Sequence, residues 1–128
     1  MNIIIIDSNS DQVRELIKYL NDLEHSVLHV THADQALAMV RKYYFEVIML
    51  ELTLEQMEIY HIITDLKFYN AGTHIITMTE SSTPDLERRV RELGITFYMG
   101  KPIDMNQLKQ ILDQLVVYHS SFGNWEII

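Results

Sequence analysis

The chain contains no cysteine, which excludes a disulfide framework and a thiolate metal site and makes a reducing compartment the simpler expectation. Basic residues are scarce. Ten Lys and Arg stand against eighteen Asp and Glu, a net charge of −8 that repels a phosphate backbone and argues against direct binding to nucleic acid or an anionic membrane. No apolar run approaches the roughly 20 residues of a membrane span, and the N-terminus lacks the basic region and apolar core of a signal peptide. The expected location is therefore cytoplasmic and the expected partners are proteins. What the chain does have is ordinary for one globular domain: 128 residues, 48% of them apolar and 22% charged.

Short apolar runs alternate with longer segments of helical period. Ile3-Ile4-Ile5-Ile6 and Val47-Ile48-Met49-Leu50 run without polar interruption, the pattern of strands buried on both faces, and each stops on an acid, Asp7 and Glu51. Residues 26–30, Ile75-Ile76-Thr77-Met78 and residues 95–99 read as three more strands. Between them Val13, Leu16, Ile17, Leu20 and Leu23 recur at spacings of three and four behind Asn9 and Gln12, a capping-box pair. Thr31 with Asp34 gives a similar signature before Ala36, Leu37 and Val40, and Ile59, Ile62, Ile63 and Leu66 mark a third helix broken by Asn70-Ala71-Gly72. Thr83 and Pro84 open a fourth, with Leu86, Val90 and Leu93 on one face and Gly94 at its end. Asp104 with Gln107 caps a fifth, expected to turn Leu108, Ile111, Leu112, Leu115 and Val116 inward. The division expected is a domain over 1–118 and a tail over 119–128, whose Phe122, Trp125, Ile127 and Ile128 make it too apolar for free solution.

Five such units predict a doubly wound α/β fold: a five-stranded parallel sheet, flavodoxin-like in strand order 2-1-3-4-5, with helices on both faces and right-handed crossovers. Ligands of such sheets collect outside the carboxyl ends of the strands. Asp7, Glu51, Thr79 and, beyond Met99-Gly100, Lys101 would converge there.

An acid after strand one, an acid closing strand three, Thr79 closing strand four, Tyr98 on strand five and Lys101-Pro102 after it resemble the receiver domain of two-component response regulators, over residues 1–118. The resemblance implies a module in which Mg²⁺ assists phosphoryl transfer onto an aspartate at the end of strand three. It puts Glu51 at the phosphoacceptor position, Asp7 and Ser8 at the acidic pocket, Thr79 and Tyr98 at the switch positions and Lys101 at the phosphate-contacting amine. Two positions depart from the family: Ser8 stands where a second acid is expected, and Glu51 where the acceptor aspartate is.

Both departures strike at the chemistry. Mg²⁺ favours octahedral oxygen geometry built on carboxylates and water, so a hydroxyl in place of one acid weakens its site; Asp7, Glu51 and Thr53 are the residual candidate ligands. Glu51 carries its carboxylate one methylene beyond the in-line position of an attacking oxygen. The loop from Thr53 to Ile59 lacks the Pro and Gly residues common in family members. Asp7 and Glu51 against Lys101 leave the pocket at −1, and two carboxylates about 4 Å apart repel by roughly 4 kcal/mol at an effective dielectric near 20, which one lysine offsets. Glu51 is expected to reach Lys101 or Thr79. The reading is an atypical receiver that is not an enzyme, is not phosphorylated, holds no cofactor, binds Mg²⁺ weakly at most and signals by protein contact through helix four, strand five and helix five, with a homodimer possible. The alternatives are a phosphorylatable receiver of low turnover and a flavodoxin-like cofactor binder; against the second, Asp7-Ser8-Asn9-Ser10-Asp11 has two acids and no glycine to cradle a phosphate.

Other residues invite less. His25 and His29 share a strand parity with His32 nearby, but four residues along a strand span roughly 13 Å, too far for one metal, so they are expected to be solvated. Many of the seven Met and seven Tyr fall beside or within apolar stripes, so core filling is expected of them, and Arg88, Arg89 and Arg91 are expected to form a solvated face.

Overall fold

The computed structural model describes residues 1–52 and 58–127, with the backbone alone over 118–127. The five strands are β1 (Asn2–Ile6), β2 (Ser26–Val30), β3 (Val47–Glu51), β4 (His74–Thr79) and β5 (Phe97–Gly100). They form one parallel sheet in the order β2-β1-β3-β4-β5, as expected. The helices are α1 (Ser10–Asp22), α2 (Ala33–Val40), α3 (Ile59–Tyr69), α4 (Pro84–Glu92) and α5 (Met105–Ile127).

The uninterrupted apolar runs are explained by two cores. Ile4 and Ile6 of β1 and Ile48 and Leu50 of β3 pack with α2, α3 and α4 on one face. Ile3, Ile5, Val47 and Met49 alternate onto the other, against Val13, Leu16 and Leu20 of α1 and Leu108, Leu112 and Leu115 of α5. Each fully buried side chain of this size contributes about 1.5–3 kcal/mol, so both parities of the two central strands need large apolar residues.

The helix starts follow from local chemistry with one shift. Asn9 Oδ1 accepts from the Gln12 amide at 3.2 Å, Thr83 Oγ1 from that of Leu86 at 3.1 Å and Asp104 Oδ1 from that of Gln107 at 3.1 Å. For α2 the expected Thr31–Asp34 cap is displaced by one residue: His32 is the N-cap, and Gln35 Oε1 accepts from the amides of Thr31 (3.0 Å) and His32 (3.3 Å). Gly94 ends α4 at φ 79°, and Lys67 from α3 donates to the Leu93 and Gly94 carbonyls there, so a cation meets the negative helix end.

Four expectations are corrected. Strand five begins at Phe97, two residues late, because Thr96 spends its amide on the Ile75 carbonyl before the ladder settles into register. Val116 is 37% exposed, at the edge of the α5 stripe that Leu108, Leu112 and Leu115 hold inward. The backbone of α5 runs on as helix through 119–127, where a tail was expected. Most strongly, tyrosine does not fill the core: Tyr98 is buried, but Tyr43, Tyr44, Tyr60 and Tyr69 are exposed, and the aromatic Phe68 is 76% exposed. Met49, Met78 and Met99 do pack inside.

Asn70, expected only to break a helix, is a buried clasp. Its Oδ1 accepts from the Phe45 amide at 2.6 Å, and its Nδ2 donates to the carbonyls of Val40 (2.8 Å) and Tyr43 (3.1 Å). It thereby ties the end of α3 to the turn entering β3. Asn70→Ala leaves a buried donor and acceptor unmet, and urea unfolding is expected to register a loss of about 3 kcal/mol; a loss below about 1 kcal/mol would refute this role.

Candidate functional site

Register assembles the site. β1 pairs with β3 so that Ile6 lies opposite Leu50, and the next step brings Asp7 alongside Glu51 at the carboxyl edge. Both continue the parity of Ile5 and Met49, so both carboxylates leave the sheet on the α1–α5 side. Glu51 pairs with Met78, so Thr79 lies one residue further along β4 and on the opposite parity. The amide of Lys101 closes the β4–β5 ladder on the Thr79 carbonyl at 2.9 Å, which starts the lysine side chain at the same edge. The Lys101–Pro102 peptide bond that follows is cis.

The side chains meet as three buried charges. Lys101 Nζ lies 2.7 Å from Asp7 Oδ2 and 2.5 Å from Glu51 Oε2, with all three side chains 6% exposed or less. Glu51 was expected to reach Lys101 or Thr79, and it meets Lys101. The other oxygen of Asp7 accepts from the Asn9 amide at 2.9 Å, shaping the turn into α1. Ser8, in contrast, is exposed. Burial by itself would lower the Lys101 pKa, but hydrogen bonds from the ammonium to Asp7 and Glu51, together with their charges, outweigh it and raise it above the ordinary lysine value.

The switch positions have hydrogen-bond partners of their own. Thr79 is buried, and its Oγ1 accepts from the Ser81 amide at 3.0 Å. Tyr98 is buried in the α2–α3–α4 core with its hydroxyl 2.8 Å from Ser82 Oγ, and the Arg91 guanidinium lies 5.8 Å from its ring centre. Thr53, a candidate metal ligand, and the loop over 53–57 lie outside the described residues.

Three contacts escaped sequence reasoning, those of His29 and Gln12 at this edge and that of His25 at the opposite one. His29, expected in solvent, is half-buried with Nε2 2.8 Å from the Asp7 carbonyl; a carbonyl only accepts, so Nε2 carries a proton there. Parity along β2 says nothing of which backbone group a ring meets beyond the end of β1. His25 is likewise removed from solvent: it is buried, and its Nδ1 lies 3.1 Å from the Met1 amine. Burial and that neighbouring ammonium lower its pKa. Gln12, read as half of a capping box, sends its amide instead to Glu80 Oε1 at 3.1 Å, bridging α1 to the loop after β4. On α4 the arginines do form a solvated face, with Arg88 held by Asp85 and Glu92 and Arg91 by Glu87. Among the described residues no three acids or histidines gather closely enough to hold a metal ion.

With this geometry in view, the response regulator receiver domain family matches residues 3–113. The chain belongs to that family. It is a receiver domain, the signalling module of two-component systems that acts through protein partners. It is 21% identical over 123 residues to the transcriptional regulatory protein ZraR of Salmonella typhimurium, a match covering 96% of this chain and 28% of that one. It is 30% identical over 95 residues to the sensor histidine kinase AruS of Pseudomonas aeruginosa, covering 71% of this chain and 10% of that one. The chain thus spans less than a third of the length of the curated relatives it matches. Among solved structures, the signal receiver domain of a Luxo repressor protein from Vibrio parahaemolyticus superposes with a TM-score of 0.85 at 17% identity, covering 95% of this chain and 94% of that one. A Burkholderia pseudomallei response regulator, solved with a phosphorylated aspartic acid and calcium, reaches 0.79 at 22% identity, with 98% and 72% covered. These likenesses carry the fold.

The triad makes a stability prediction. Lys101→Met leaves two buried carboxylates facing each other and is expected to cost about 3–5 kcal/mol at neutral pH, of which Lys101→Met with Glu51→Gln recovers most. Because the folded-state pKa of Lys101 is raised, its contribution is complete below the ordinary lysine value of about 10.5 and fades only as pH climbs through the raised one. Urea unfolding from neutral to strongly alkaline pH measures both; a neutral Lys101→Met, or a loss of the contribution beginning well below that range, would contradict the assignment.

Proposed function

We propose that this receiver signals by protein contact without accepting a phosphoryl group. The observation carrying the proposal is the position of Lys101 Nζ, within salt-bridge distance of both acids that a metal would need. One oxygen of Asp7 is engaged by the amine and the other by the Asn9 amide, and the second acid of the family is an exposed serine. This donor set does not fit a Mg²⁺ site, which requires oxygens free to complete an octahedron. Without a divalent ion an incoming phosphoryl group meets a pocket of net charge −1, and the charge that builds on its oxygens during transfer has one lysine, already doubly engaged, to offset it.

Glu51 is in this reading a permanent negative charge at the acceptor position and Lys101 its permanent counter-ion. A single carboxylate imitates a phosphate's −1.5 to −2 only in part, so the domain is held in one state instead of being switched. Output goes to a protein partner through the face of α4, β5 and α5, where Arg91 lies over the ring of the buried Tyr98. The charge balance and the lack, among the described residues, of a helix long and apolar enough to cross a membrane support a domain that works in the cytoplasm on proteins, not on DNA or lipid.

The test is the intact mass of the protein after incubation with a small phosphodonor and Mg²⁺. No phosphate-sized gain is expected, and none in Glu51→Asp alone, since that change restores the acceptor but not the second acid; Ser8→Asp with Glu51→Asp is the combination expected to begin accepting phosphate. A gain in the unmodified protein that disappears in Glu51→Ala would overturn the proposal in favour of a slow, phosphorylatable receiver.

A further inference from the structure

Three of the tyrosines that failed to enter the core, Tyr43, Tyr44 and Tyr69, collect at the end of the domain opposite the acids. In a parallel sheet covered by helices, the helix carboxyl ends lie at the amino edge of the strands. There the turn after α2 presents Arg41, Lys42, Tyr43 and Tyr44, and the end of α3 presents Phe68 and Tyr69. Every one of these side chains is exposed, Phe68 to 76% and Tyr43 to 59%. The Arg41 guanidinium lies 5.0 Å from the Tyr69 ring centre, and Phe68 meets Tyr69 edge to face at 5.2 Å. A methyl group added at Gly72 would stand 3.4 Å from the Tyr44 hydroxyl, which puts that ring over the turn following α3. The buried clasp of Asn70 pins the two segments together, so the rings are mounted on fixed backbone.

Exposed rings on a rigid base, mixed with arginine, have the composition of binding hot spots, and stability does not require them there. Charge decides what they bind. Arg41 and Lys42 form an adjacent cationic pair in a chain of net charge −8, with Asp65 one turn back on α3 and Glu46 committed to the Asn2 amide. We infer that this amino-edge surface docks an acidic, apolar-studded segment of a partner protein. A second copy of the chain is disfavoured: a two-fold contact here would bring both copies' Arg41 and Lys42 into one interface, like charge beside like. Nucleic acid is disfavoured because two cations do not overcome the field of the whole chain. The surface is separate from both the carboxyl-edge pocket and the α4–β5–α5 face, so it stands or falls independently of the reading above.

The test is a titration of isotope-labelled protein, followed by amide NMR shifts, with a short peptide of Glu and Asp interspersed with Leu and Trp. A peptide carrying Lys in place of the acids, an oligothymidylate, and a peptide-free dilution series complete the set. The expected result is shifts centred on residues 41–44 and 67–72 for the acidic peptide, weakened about tenfold or more by Arg41→Glu with Lys42→Glu and by Tyr43→Ala with Phe68→Ala, at unchanged melting temperature. Absent shifts, equal binding of the lysine peptide, preference for the oligonucleotide, or dilution-dependent shifts at the patch would each overturn the inference.

Discussion

Burying an amine and two carboxylates is expensive for each of them alone, and the carboxyl edge of this sheet does it to all three. The arrangement persists because the charges are taken out of water together: the Lys101 ammonium lies 2.7 Å from Asp7 and 2.5 Å from Glu51, close enough for attraction in a shielded medium to offset desolvation. No member can leave without stranding the others. The geometry of the turn into α1, the end of β3 and the start of the segment after β5 is thereby tied to one electrostatic cluster.

The sheet makes the cluster unavoidable. Two uninterrupted apolar parallel strands in register bring Asp7 and Glu51 out on the same side, and the last ladder hydrogen bond from the Lys101 amide delivers the third charge. A family built around a metal and an acceptor aspartate would use the same scaffold differently. With Ser8 in solvent and a longer acid at the end of β3, the amine can be shared between the two carboxylates that remain. His29 adds a brace from the edge strand by donating to the Asp7 carbonyl, and Gln12 links the start of α1 to Glu80 in the loop after β4.

The strand order, the two cores and the meeting of Asp7, Glu51 and Lys101 were legible from the chain because each rests on a repeating or positional rule: uninterrupted apolar runs, helical spacing, and acids at strand ends. What stayed hidden depends on contacts between elements distant in sequence. Asn70 reads as a helix breaker, yet its amide is satisfied by carbonyls and an amide some 25 to 30 positions earlier. His25 and His29 read as polar residues on a strand near the sheet edge, and only the tertiary fold supplies the Met1 amine and the Asp7 carbonyl. Tyrosine count predicts core filling, whereas the exposed rings lie on turns and outer helix faces that composition does not distinguish. The likeness to receiver domains, at 17–22% identity among the solved structures compared, extends over the backbone but does not decide how a pocket with Ser8 and Glu51 behaves.

The account rests on Lys101 taking the role that a divalent ion would otherwise fill, and a magnesium titration followed by the amide signals of Asp7, Ser8, Glu51 and Lys101 tests it most directly. The account predicts that these signals stay in place at millimolar Mg²⁺. Saturable, site-localised shifts accompanied by release of the lysine ammonium from the two carboxylates would contradict it.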